Sequence, residues 1–111
     1  MKQGINFRLS VRLEMDIDTV EAVDFIFKND SPNSDSVEFH YPSSRATLND
    51  VLENTINLHW SEEETWKFPP EYPVFMDTKI HMHGKDHCPV TPIVRLQMGR
   101  TLFDREEDTN G

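Results

Sequence analysis

Val74-Phe75-Met76-Asp77-Thr78-Lys79-Ile80-His81-Met82-His83 sorts its residues two by two. Val74, Met76, Thr78, Ile80 and Met82 fall on one side; Phe75, Asp77, Lys79, His81 and His83 fall on the other. An apolar period of two is the mark of a half-buried β-strand, whose successive side chains point to opposite faces. The Val74 side is therefore assigned to a core, and His81 and His83 share the outer face. Immediately after comes Gly84-Lys85-Asp86-His87-Cys88-Pro89, so three of the five histidines and the only cysteine lie within eight residues around a Gly-Lys-Asp turn.

The same period recurs along the chain. Ile5 to Leu13, Ala22 to Lys28, Val37 to Tyr41, Ile56 to Trp60 and Val94 to Met98 each alternate. Asp16-Ile17-Asp18-Thr19 and residues 29–36 are rich in turn formers, and Pro42 stops the third strand. Ser43 to Asn54 is ambiguous between a short strand and a helical piece. Ser61-Glu62-Glu63-Glu64 has the Ser-x-x-Glu spacing of a capping box, and acids suit the positive end of a helix. One or two helical turns through Trp66 and Phe68 are expected, ended by Pro69 and Pro70. The expected fold is mostly β: an antiparallel β-sandwich or partial barrel of about six strands, with one short helix. Its last two strands form a hairpin at 80–90, closed by the His/Cys turn.

A chain of 111 residues is one domain, here placed at 1–103 with a flexible acidic tail at 104–111. Twenty acidic against eleven basic residues give a formal charge of −9. That balance argues against nucleic acid or anionic membrane as direct partners, since phosphate binding needs clustered Lys and Arg. A protein partner with a basic surface fits better, although solubility alone also accounts for such a charge. One cysteine makes no internal disulfide, and neither a signal peptide nor a membrane span is visible, so a cytoplasmic location is the expectation.

Imidazole and thiolate are the ligands that tetrahedral zinc prefers. His81, His83, His87 and Cys88 are accordingly the candidate ligands of a structural Zn2+ that staples the hairpin. The spacing His-x-His-x3-His-Cys matches no standard finger signature. Adjacent His87 and Cys88 must also turn onto one ion, so Asp86, His40 or water is an alternative ligand. His40 and His59 also fall on outer faces and rank below the four. An exposed, merely histidine-rich tip is the plainer reading. No catalytic signature accompanies the stretch, so enzyme activity is not expected.

Acids concentrate at Glu14 to Asp24, at Glu62 to Glu64 and at Asp104 to Asp108. Such runs are usually solvated faces. Read functionally, they imitate phosphates and occupy a basic nucleic-acid channel on a target protein. Glu62, Glu63, Glu64, Asp16 and Asp18 are the candidate contacts, with Trp66 as an aromatic anchor.

Gln3-Gly4-Ile5-Asn6-Phe7, the run from Ile56 to Phe68, Met76-Asp77-Thr78-Lys79-Ile80, Thr91-Pro92-Ile93-Val94 and Thr101-Leu102-Phe103 together resemble a family of small all-β proteins encoded in phages and prophages of Firmicutes. The likeness spans most of the chain. It implies a phage structural or accessory protein and supplies no catalytic residues; against it, the His/Cys turn is a specialisation of this chain. By type, as a small, acidic, non-enzymatic phage protein, the chain is also similar to anti-CRISPR inhibitors of type II CRISPR nucleases. These nucleases hold nucleic acid in strongly positive channels. Two functions follow as expectations: an inhibitor that binds such a nuclease and blocks target DNA loading, and a virion or tail-assembly component. A metal-dependent hydrolase is the third and weakest.

Overall fold

The computed structural model describes residues 1–31, 35–84, 89 and 91–99. Among them are seven strands, one more than expected: β1 (Phe7–Arg12), β2 (Val20–Asn29), β3 (Val37–Tyr41), β4 (Ala46–Leu48), β5 (Thr55–Trp60), β6 (Val74–Met82) and β7 (Val94–Leu96). A single α-helix, α1, covers Glu62–Trp66, and one 3-10 turn covers Ile17–Thr19. The strands form two antiparallel sheets of order β1-β5-β4 and β3-β2-β6-β7. The architecture is sandwich-like, and the sheets do not close into a barrel. The additional strand, β4, lies in the ambiguous stretch: three residues are too few to display a period.

Alternation on each strand builds the core. Phe25 and Phe27 of β2, Phe39 of β3, Ile56, Leu58 and Trp60 of β5, and Val74, Met76 and Ile80 of β6 are buried together. The two sheets meet through aromatic rings. Phe27 lies edge-on to Trp60 at 4.6 Å between centroids and to Phe39 at 5.8 Å, and Phe68, just past α1, closes on Trp60 at 6.0 Å. Edge-to-face pairs of this kind match the positive rim of one ring to the negative face of the next.

β5 is buried on both sides, and its outward residues carry polar partners. Asn57 Oδ1 accepts from Ser10 Oγ at 2.8 Å and from Asn49 Nδ2 at 3.0 Å. His59 Nε2 sits 2.9 Å from Thr47 Oγ1. His59 is thus engaged on the sheet opposite the one that carries His81.

The capping box forms as the sequence spacing predicts. Ser61 Oγ accepts from the Glu64 N–H at 3.2 Å, and Glu64 Oε1 accepts from the Ser61 N–H at 2.9 Å. The Arg45 guanidinium also pairs with Glu64 and lies 4.7 Å over the Phe39 ring, which ties the helix to the β3–β4 corner. The amino-terminal segment closes beneath α1. Gly4 adopts φ +76° and donates its N–H to Thr65 Oγ1 at 3.0 Å. A Cβ placed on Gly4 would stand 2.9 Å from Cζ2 of Trp66. Both the left-handed backbone and the close approach demand glycine here. Gly4→Ala is expected to cost about 1–2 kcal/mol from the backbone alone, seen as a lower urea midpoint at unchanged m-value.

Candidate functional site

His81 lies near the end of β6, where it points to the outer face as alternation requires. There it meets residues from two other strands. Strand order β3-β2-β6 places Asp24 between two histidines: its Oδ2 is 3.1 Å from His81 Nε2, and its Oδ1 is 2.6 Å from His40 Nδ1. Asp24 stands directly opposite His40 on β3 and Lys79 on β6. The hydrogen bond from His40 is the main cause that holds the Asp24 carboxyl below its usual range. Partial desolvation opposes it, and the hydrogen bond from His81 and the charges of both rings add to it. An ionised carboxylate only accepts hydrogen bonds, so each imidazole presents an N–H to it. The other nitrogen of each ring is then directed away from Asp24.

His83 is exposed and just past the strand, where its backbone N–H donates to Thr19 O at 3.0 Å. Gly84 follows at φ +67°, a left-handed conformation that glycine adopts without strain. His87, Cys88 and the alternative ligand Asp86 lie outside the described residues, as does the 104–111 tail. Among the described residues, no group of three or more His, Cys, Asp or Glu side chains is placed to hold a metal ion. His40 reaches the outer face next to His81 through their shared carboxylate, a link that depends on strand order and that spacing in the chain does not reveal.

The expected hairpin pairing of the last two strands is present, but it is wide. β6 pairs with β7 only from Val74↔Leu96 to Met76↔Val94, so residues 77–82 of β6 run on beyond their partner. Thr91 Oγ1 donates to Thr78 O at 2.8 Å and ties the returning chain to that overhang.

The structure separates the acidic residues grouped in the sequence reading. Asp16 caps the 3-10 turn and Asp18 lies within it; the Ile17 N–H of that turn donates to Asn54 Oδ1 at 3.0 Å, just before β5. Glu62, Glu63 and Glu64 follow the other end of β5. Six residues of strand, about 17 Å, separate the two groups. Glu64 is committed to the cap and to Arg45, and Trp66 is half-buried against Gly4. At the helix end, Glu62 and Glu63 are the exposed members of the proposed contact set.

The Asp16/Asp18 end carries a feature that the sequence reading leaves unassigned. Residues 49–54 form a tight loop in which Asn49 Oδ1 accepts from the N–H groups of Val51 and Leu52 at 2.9 and 2.8 Å. Asn54 takes φ +56°, and its carbonyl accepts from Leu13 N at 2.8 Å. This bonding leaves Val51 83% and Leu52 56% exposed. Beside them, Asp16, Asp18 and Glu53 join Ile17, Leu48 and Leu52 around a depression of about 350 Å³. Asp50 is exposed on the same loop, and Arg12 flanks the far side of Val51. The pattern that could have pointed here is Val51-Leu52 between Asp50 and Glu53, an apolar pair enclosed by acids.

No family model matches the chain, and no curated protein matches it significantly. What fold and site define together is a mostly β, two-sheet protein with an acid-rimmed apolar tip at one end. No described helix is long and apolar enough to cross a membrane.

Proposed function

We propose that this chain is a non-catalytic, phage-type inhibitor that docks on a basic nucleic-acid-binding surface of a protein partner. The observation that carries this reading is the tip at 48–54. An apolar pair held out to solvent by its own loop, inside a rim of carboxylates broken by Arg12, has the anatomy of an interface: a dry centre and a polar edge. Its sign selects a partner with Lys and Arg around an apolar socket. Nucleic-acid channels supply the Lys and Arg, and the resemblance to phage proteins makes a type II CRISPR nuclease the partner to test. The expected result is a stable complex with the guide-loaded nuclease and loss of target cleavage at excess protein, weakening as salt rises. Unchanged cleavage with no complex on size exclusion would overturn the reading.

A structural zinc held by His81, His83, His87 and Cys88 belongs to the same proposal. The Asp24–His81 contact supports it, because a metal-bound imidazole usually donates its other N–H to a carboxylate that fixes the ring. Protein purified without chelator is expected to carry about one zinc per chain. Cys88→Ser should lower that content, and acid should release the metal as its ligands take up protons. Elemental analysis that finds no metal would remove the zinc and leave the docking tip standing.

The alternative is a virion or tail-assembly component. It is favoured by one observation: the outer face of the four-stranded sheet has no described element packed on it.

A further inference from the structure

That uncovered face is patterned. Strand register places its outward residues in rows that cross the strands. One row runs Glu38, Ile26 and Asp77 across β3, β2 and β6, because Ile26 stands opposite both others. The next row runs Lys28, Phe75 and Arg95 across β2, β6 and β7. The two rows are two residues apart along the strands, about 7 Å. One carries only negative charge and the other only positive charge, and each holds an apolar residue near its middle. Ile93, 64% exposed, adjoins Phe75 and Asp77 and widens the apolar strip.

We infer that this face pairs with the same face of a second copy of the chain, about a two-fold axis that crosses the strands between the two rows. Rotation about that axis lays the Glu38/Asp77 row of one copy over the Lys28/Arg95 row of the other, and the reverse. Both charge contacts form at once, as a two-fold interface requires. Asp77 then lies between the Lys28 and Arg95 of its mate, while Ile26, Phe75 and Ile93 fill the middle. Two sheets stack face to face at about 10 Å, a spacing that such side chains span. A foreign partner would have to match two opposite charge rows at one spacing. A second copy matches them by symmetry. The net charge of −9 opposes association at long range, so the local match must supply the attraction. Two rows of side chains make a contact at the small end of stable interfaces, and the dimer should therefore dissociate on dilution.

Charge reversal with rescue tests the pairing. Sedimentation velocity of the wild-type chain should show a mass that rises from one copy toward two with concentration. K28E/R95E makes both rows acidic and E38K/D77K makes both basic; each variant alone should stay monomeric. Mixed in equal amounts, the two should form a heterodimer, because each acidic row then meets a basic one. All four positions are exposed, and melting curves verify that both variants fold. A wild-type chain that stays monomeric at millimolar concentration, or two variants that ignore each other when mixed, would overturn the inference.

Discussion

Phe27→Ala is expected to remove about 3–5 kcal/mol of folding free energy, read from urea unfolding followed by far-ultraviolet circular dichroism. Phe27 is fully buried and belongs to the middle strand pair of the larger sheet, and its ring lies edge-on to Trp60 of the smaller one. Its deletion loses the transfer free energy of a large side chain. It also opens a void that Trp60 and Phe39 line from two strands, so neither can close it without moving a sheet. Domains of this size have in all about 5–15 kcal/mol of stability. The variant should therefore be partly unfolded near 37 °C. Ser61→Ala gives the contrast: it removes one exposed cap worth about 1 kcal/mol and leaves the core alone.

The second large effect concerns binding rather than folding. The double variant V51D/L52D should melt like the wild type, since both side chains are solvent-exposed and the loop is held by Asn49 and Asn54 rather than by packing. Its affinity for the guide-loaded nuclease should fall at least about 30-fold, the equivalent of roughly 2 kcal/mol for one lost hot-spot anchor. Calorimetric titration measures the loss. Asp16→Lys with Asp18→Lys should act differently. It should chiefly slow association and flatten the salt dependence, as expected of rim charges that steer more than they anchor. By contrast, E62K at the far end of β5 should leave affinity nearly unchanged, because that carboxylate stands about 17 Å from the tip.

Much of the fold is legible in the chain because one face of each long strand is buried. Val23, Phe25 and Phe27, or Ile56, Leu58 and Trp60, print their burial as a period of two, and Ser61 with Glu64 prints a helix start. What is not legible is whatever depends on which strand lies beside which. Asp24 and His40 are sixteen residues apart, and Asp24 and His81 fifty-seven, yet all three share one hydrogen-bonded group. Only the order β3-β2-β6 brings them together. The acids behave in the opposite way: Asp16, Asp18 and Glu62 to Glu64 look alike as runs, and β5 carries them to opposite ends. The tip is not legible in the chain because Val51 and Leu52 resemble core residues. Their exposure follows from the Asn49 hydrogen bonds, which use backbone N–H groups that a strand or helix would otherwise occupy.

If the acid-rimmed tip occupies a surface that nucleic acid needs, the protein and target DNA exclude each other from the nuclease. Adding the protein to a guide-loaded nuclease already holding a labelled target-DNA duplex, under conditions without cleavage, reads this out as the fluorescence anisotropy of the label. Wild-type protein is predicted to displace the duplex, with V51D/L52D unable to do so. A ternary complex that retains both the duplex and the wild-type protein would show that the tip does not occupy the DNA-binding surface.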